Sequence, residues 1–437
     1  MTFTVCLWVI WNGWAEFFLW FTQWSTISDS TRLTDFSNLY QDGKWWLSGA
    51  YVNPQTHAIF PYPFAYPPTS LPFFGFFAQF DFGVAAQLWT GICLTVFFVA
   101  LLSVAVVIKR SRRYVFISIA ILLFFTSFAL RAELLLGQIN LLLEGLTILS
   151  LVTYRLKHSK TSATILASAT MLKGPPVLFL IYFVIFHKDL RYLFNFLEST
   201  AAILGISLLV VPIQLYWTWA VNVLPTLFEA VALPINESVT GAISLSGLSY
   251  LTPGVFVAAI CMFAAFAYRV TPISSTSVVD QFSLPADAMF LMTALFMLLL
   301  GSRSWTQDYV WVIIPAALFL SVLLVNEVRA SYFIVVSLAT FLFNLDQYPL
   351  FTYYLPYYIT YSRVAMVPTS LIGNLLMTSA LILLFARPQL ISKSSVDQLY
   401  SVSQYTRTPS VRINSSSTAR RPMKGKIQST PVRASRT

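Results

Sequence analysis

Long apolar runs separated by short polar breaks fill most of the chain, and many of the runs approach the length of a membrane-crossing helix. A straight helix needs about 20 apolar residues to cross the hydrocarbon layer. Laid between the polar breaks, the pattern predicts spans at 4–24, 86–108, 114–130, 138–154, 162–172, 175–186, 192–214, 248–268, 286–301, 308–325, 331–345 and 364–386. That makes about twelve crossings, with both termini on the cytoplasmic side. Several runs are shorter than a full span, which predicts broken or sheltered helices around Lys173, Gly174, Pro175 and Pro176.

Composition agrees with this pattern. A chain that is 57% hydrophobic, 16% aromatic and only 10% charged is not a soluble domain; it is an all-α polytopic membrane protein. The net charge of +10 would suggest a nucleic-acid partner if the charges formed a patch, but they sit in short loops and in the tail. Basic clusters at 109–113, at 155–160, at Lys188 and Arg191, at Arg269, at Arg329 and from Arg387 onward mark the cytoplasmic side. No nucleic-acid partner is expected.

The same rule decides one ambiguous run. Counting 67–80 as a span would turn the 109–113 cluster outward, so the segment is read as a non-crossing helix. Its Phe73, Phe74, Phe76 and Phe77, set against Gln79 and Asp81, would lie along the outer interface or dip into lipid. Residues 25–85 then form one outer structure on a membrane domain that extends to residue 386. The first run is too long and too aromatic for a cleaved leader and reads as a retained signal anchor. Residues 387–437 turn to Ser, Thr, Arg and Lys, which predicts a disordered tether to the anionic cytoplasmic leaflet. Cys6, Cys93 and Cys261 lie in apolar runs and read as small core residues, not as a disulfide or zinc framework.

Polar groups beside or inside a bilayer are costly and therefore candidates for function. Asp35 stands in the only long polar stretch of the first half of the chain. Tyr40 follows it, then Trp45 and Trp46, then a proline-rich aromatic lip from Phe60 to Pro68 that cannot form regular helix. Such rings suit the headgroup zone and also suit stacking on sugar faces. Arg131, Lys173 and Arg303 fall on the outer side, against the positive-inside trend, and so call for an anion such as an isoprenoid phosphate. Pairing of Arg131 with Glu133 is the plainer alternative. Asn140 and Glu144 share a helix face with Gly137, and pairing of Glu144 with another span is its first reading.

Asp35-Phe36 with Tyr40, Trp46-Leu47-Ser48-Gly49 and Tyr66-Pro67-Pro68 resemble the outer loop of glycosyltransferase family 87. In the same order, Gly137-Gln138-Ile139-Asn140 resembles its Gly-Gln-x-Asn segment and Leu172-Lys173-Gly174-Pro175-Pro176 its Lys-x-x-Pro turn. Asn236-Glu237-Ser238 with Gly241 resembles its Asn-x-Ser segment, and Ser304-Trp305 its Ser-Trp element. The resemblance implies a GT-C-type bundle in a bacterial cell membrane, with its site facing outside. It implies inverting transfer of mannose or a related sugar from a polyprenyl-phosphate donor to a lipid-linked or glycan acceptor. Asp35 would be the general base, and Arg131, Lys173 and Arg303 would hold the donor phosphate. Tyr40, Tyr66, Gln138, Asn140, Asn236, Trp305, Gln307 and Asp308 would serve the sugar or the acceptor. The chain departs from the family where Thr306, Gln307 and Asp308 replace frequent histidines.

His57, His158 and His187 form no metal-ligand spacing, and no cofactor or metal is expected. Asn236-Glu237-Ser238 is also a glycosylation sequon, a reading set second to the site reading. The competing class is a secondary transporter or lipid flippase, which would use buried charges such as Glu16, Glu144 and Lys173. Against it, the chain has no pair of similar halves, and its polar residues gather at the outer surface rather than the midplane. A non-catalytic scaffold is the third reading.

Overall fold

The computed structural model describes residues 33–51, 66–230, 236, 238–270, 284–301, 304, 306–325, 328–343 and 369–386. The expected first crossing and the basic tail lie outside them. The described residues are helical, with no strand among them. Its principal α-helices are α1 (Thr34–Leu47), α2 (Leu71–Phe77), α3 (Phe82–Val107), α4 (Arg110–Thr126), α5 (Phe128–Leu136), α6 (Asn140–Arg155), α7 (Ser159–Leu172), α8 (Leu190–Leu208), α9 (Thr252–Val270), α10 (Leu284–Leu300), α11 (Ile313–Val325), α12 (Ala330–Phe343) and α13 (Thr369–Ala386).

Among the described residues, three stretches are long and apolar enough to cross a membrane: Phe82–Val107, Ser249–Val270 and Gln307–Val325. A fourth is the bent pair Arg110–Thr126 and Ala129–Leu136, which turns by 58°. Pro175–Phe186, Leu284–Leu300, Ala330–Thr340 and Ser370–Ala386 are apolar but shorter. The described helices thus support a membrane protein with several spanning and several short apolar elements, a coarser picture than twelve crossings.

The break expected near Lys173 is present. Helix α7 stops at Leu172, and Lys173 is extended at φ −156° and ψ 124°. Pro175 and Pro176 carry no backbone N–H, so regular helix cannot run through them. The chain continues instead as a 3₁₀ turn, Pro175–Phe179, and a π-helical stretch, Ile181–Phe186.

Helix α2 has seven residues, about 10 Å of rise, and is far too short to cross. Its aromatic face differs from the expectation of lipid contact. Phe74 and Phe77 are fully buried, and of the four phenylalanines only Phe76 is well exposed, at 49%. Phe77 meets the Phe36 ring edge-on at 5.8 Å, and Phe74 lies 5.8 Å from Trp89, so α2 clamps α1 against α3. The two short helices approach closely because Gly43 has no side chain: a Cβ there would lie 2.6 Å from the Phe74 carbonyl oxygen.

Two buried polar links tie the bundle together. Glu144 on α6 accepts a hydrogen bond from the Ile314 backbone N–H at 3.1 Å. It thereby satisfies one of the orphan donors that open α11. This is the interspan pairing expected of Glu144, made to backbone. Deeper in the bundle, Asp287 on α10 receives Arg112 of α4 and Arg155 of α6, each at 2.7 Å. Arg112 also donates through Nε to Ser321 of α11 at 2.7 Å. All three charged side chains are buried, and together they join four helices.

Candidate active site

The site starts at the left-handed turn between α5 and α6. Gly137 takes φ +69°, and a Cβ there would fall 2.7 Å from the Phe36 Cβ, so only glycine lets α1 lie against this turn. Leu33 N–H bonds the Leu135 carbonyl at 3.0 Å, and Trp89 Nε1 bonds the Gly137 carbonyl at 2.9 Å. The Phe36 ring stacks on Trp89 with centroids 5.0 Å apart. This packing brings the residues on either side, Asp35 and Gln138, together: Gln138 Nε2 donates to Asp35 Oδ2.

Asn140, two residues farther on, is the junction of a second group. Its Oδ1 accepts from Lys173 Nζ at 2.8 Å, while its Nδ2 donates to Asp308 Oδ1 at 2.7 Å and to Glu133 Oε2 at 3.2 Å. The other Glu133 oxygen accepts the Leu141 N–H at 3.0 Å, within the first turn of α6. Anions are favoured at that helix end. Lys173 is aimed by the helix break described above, and its Nζ stands 5.6 Å from the Tyr66 ring centroid. Thr69, in the 3₁₀ turn Pro68–Ser70, fastens this corner by donating to the Met171 carbonyl at 2.5 Å.

Burial is the main cause that lifts the Asp35 carboxyl above its ordinary range, and Asp308 adds to the rise. The Gln138 hydrogen bond and the Lys173 charge oppose it. A carboxylate raised in this way is a stronger base than a solvated one, and Asp35 is half-buried rather than sealed. Chemically, the corner offers one such base, one ammonium, two amides and two further carboxylates. That set suits proton abstraction from a hydroxyl and the holding of sugar hydroxyls. Among the described residues, no group of three or more His, Cys, Asp or Glu is arranged to hold a metal ion.

The expected residues therefore divide. Asp35, Gln138, Asn140, Lys173 and Asp308 come together, with Tyr66 at the edge, and Gln307 is half-buried beside Asp308. Tyr40 does not face this corner: it is 2% exposed, and its hydroxyl donates to the Phe80 carbonyl at 2.7 Å, so it anchors α1. Arg131 is half-buried on α5, about 200° around that helix from Glu133, so the two leave on nearly opposite sides. Arg303 and Trp305 lie outside the described residues.

Asn236 is 3% exposed and works as a clip. Its Oδ1 accepts from Ser238 Oγ at 2.9 Å and from the Ser304 N–H at 3.1 Å. Thr240 closes the same junction by donating to the Gly301 carbonyl at 2.8 Å. Burial of the amide argues against use of this sequon for glycosylation. The clip steadies residue 304 just before the 3₁₀ turn Thr306–Val312 that delivers Asp308. Sequence reasoning missed Glu133 as a member of the site; its place just before the Gly-Gln-x-Asn turn was the available signal.

The described residues are those of a helical membrane protein with carboxylates, an ammonium and two amides gathered at one corner. Residues 64–284 match glycosyltransferase family 87, and the chain belongs to that family; it is a glycosyltransferase. No curated protein and no solved structure matches. The matched stretch holds Glu133, Gln138, Asn140, Lys173 and Asn236, whereas Asp35 precedes it and Asp308 follows it.

Proposed function

We propose that the protein transfers a sugar, mannose or a close relative, from a polyprenyl-phosphate donor to a lipid-linked or glycan acceptor on the outer face of the membrane, with inversion. The observation that carries this reading is the Gln138 bond to Asp35, which fixes a raised carboxylate beside the corner that holds Lys173. Asp35 takes the proton of the acceptor hydroxyl as that oxygen attacks the anomeric carbon. The bond from that carbon to the phosphate oxygen breaks, and its electron pair leaves with polyprenyl phosphate. General-base assistance of this kind is typically worth about 10² to 10⁴ in rate.

Lys173 faces the charge that develops on the departing phosphate, an electrostatic contribution of the kind that usually dominates such reactions. Three carboxylates act on this one ammonium, through Asp308, Glu133 and Asp35. Lys173 alone therefore leaves too little positive charge for a phosphate, and Arg303 and Arg131 are assigned to complete the donor site. Asp308, Asn140 and Gln307 bind hydroxyls of the transferred sugar, and Trp305 and Tyr66 offer ring faces to the donor or acceptor. Transfer rather than transport also follows the family to which the chain belongs.

The test is transfer by the purified full-length protein from synthetic polyprenyl-phosphate mannose to glycan and lipid-linked acceptors, with the product's anomeric configuration read by NMR. A β-linked donor should give an α-linked product. Retention of configuration, or movement of a solute or lipid across reconstituted vesicles without sugar transfer, would count against the proposal.

A further inference from the structure

The Gln138 amide has two ends, and the bond to Asp35 uses only one. Its Nε2 donates to Asp35, while its Oε1 is buried and meets no hydrogen-bond donor among the described residues. Native structures rarely leave a buried amide oxygen in that condition, because its lost hydration is not replaced. Behind Gln138, where α3, α5 and α6 meet, lies a small cavity walled by Trp89, Thr90 and Cys93 of α3, Glu133 of α5 and the Gln138 side chain itself. It offers about 10 Å³ to the centre of a water-sized sphere, room for one water molecule and for nothing larger.

The strong donors of this wall are already committed. Trp89 Nε1 bonds the Gly137 carbonyl, and Thr90 Oγ1 bonds the Ala86 carbonyl. The Cys93 thiol is the remaining donor, and a weak one. Glu133 is 1% exposed, and its two oxygens accept one bond each, from Asn140 and from the Leu141 N–H. Each carboxylate oxygen has capacity for a second. An amide oxygen and a carboxylate thus share one cavity, and a molecule that donates twice satisfies both.

We propose that the cavity is a binding site for a single water, which donates to Gln138 Oε1 and to a Glu133 carboxylate oxygen, and that Glu133 thereby acts as a positioning residue for Asp35. The water satisfies the oxygen that the Asp35 bond turns inward, so the amide keeps its orientation. Without it, that oxygen would face a carboxylate across the cavity, and the amide would be driven to rotate away from Asp35. With Nε2 held on Asp35 Oδ2, Oδ1 is left for the acceptor hydroxyl. The catalytic consequence rests on the transferase reading of Asp35; the water site does not.

Asp35 is also faced by Lys173, Asp308 and Tyr66, and Glu133 by Lys173, Asp308, Cys93 and Glu144. A fair test leaves those charges in place, and Cys93→Leu does so while filling the cavity with hydrocarbon. Two measurements on the full-length protein in nanodiscs decide. The first is a high-resolution electron cryo-microscopy map of wild type, in which one water should lie within hydrogen-bond distance of Gln138 and Glu133. A map that shows other buried waters but none there would overturn the site.

The second is the protonation midpoint of Asp35, read from the infrared carboxyl band that Asp35→Asn removes. Cys93→Leu should raise this midpoint, as Gln138→Leu does, and the double variant should titrate with Gln138→Leu because both changes break the same link. A midpoint unmoved by Cys93→Leu, or two shifts that simply add, would overturn the positioning role. Cys93→Val, a smaller filling, repeats the comparison if Cys93→Leu folds poorly. If the water and the shared shift are found but polyprenyl-phosphate mannose gives no transfer, the site stands and the proposed reaction fails. If transfer occurs without them, the reverse is true.

Discussion

Lys173 Nζ donates to Asn140 Oδ1 at 2.8 Å, and this contact joins a cation released by a broken helix to the residue that opens the next helix in the site. The orientation of the amide follows from its neighbours: its oxygen faces the ammonium, and its nitrogen faces Asp308 and Glu133. Asn140 therefore separates like charges and sets where the ammonium points.

Replacement of Asn140 by Leu removes all three of these bonds and keeps the volume. We expect transfer to fall by roughly 10- to 100-fold. Stability should fall by about 1–3 kcal/mol, because buried partners lose their hydrogen bonds. Steady-state kinetics and thermal unfolding of the same preparation check both. Asn140→Asp should be worse than Asn140→Leu in transfer, since it adds a fourth carboxylate around Lys173.

Activity should also depend on pH through Asp35. A base works deprotonated, so the acid limb of kcat/KM should lie above the ordinary carboxylate range, in the direction in which burial shifts Asp35. Gln138→Leu removes the hydrogen bond that lowers this value, and the limb should move further up. Stability has its own sign. The folded carboxyl holds its proton more firmly than the unfolded one, so stability falls as pH rises from the ordinary value through the folded value. Gln138→Leu should extend that fall to higher pH in a series of melting curves.

The donor phosphate needs charge that Lys173 does not supply alone. Arg303→Ala should raise the donor KM by tenfold or more with little change in the acceptor KM. A donor KM equal to that of wild type would remove Arg303 from the phosphate set.

Asp287 lies away from this chemistry, and its effect should be on folding. Asp287→Asn takes from Arg112 and Arg155 the buried anion they share, and breaking a buried pair of this kind costs about 3–5 kcal/mol. The expected outcome is poor yield and a lower Tm in detergent, with near-normal kcat in the molecules that do fold.

Much of this was legible in the sequence, for reasons that differ from residue to residue. Apolar runs marked helices such as Phe82–Val107, and two adjacent prolines marked the break after Leu172. Short motifs named Asp35, Gln138, Asn140 and Lys173, and Asp308 stood out where the chain departs from the family, because a polar group near a bilayer is conspicuous. Glu133 was obscured by its neighbour: proximity in sequence suggested pairing with Arg131, whereas helical rotation carries the two apart. Tyr40 was misplaced because an aromatic ring near a carboxylate reads alike whether it faces a ligand or the core. Asp287 was hidden inside an apolar run, and its partner Arg155 is 132 residues away, a separation that no local pattern encodes. Arg112 and Arg155 read in sequence as cytoplasmic loop charges, yet both stand within helices and their side chains turn inward to be buried.

The most direct measurement is initial-rate transfer from polyprenyl-phosphate mannose by wild type and Asp35→Asn, purified side by side and matched in melting temperature. Asparagine keeps the size of the side chain and a hydrogen-bonding oxygen but cannot take a proton. The account predicts a kcat lower by about 10² to 10⁴, with donor binding unchanged. A variant that transfers sugar at the wild-type rate would contradict it.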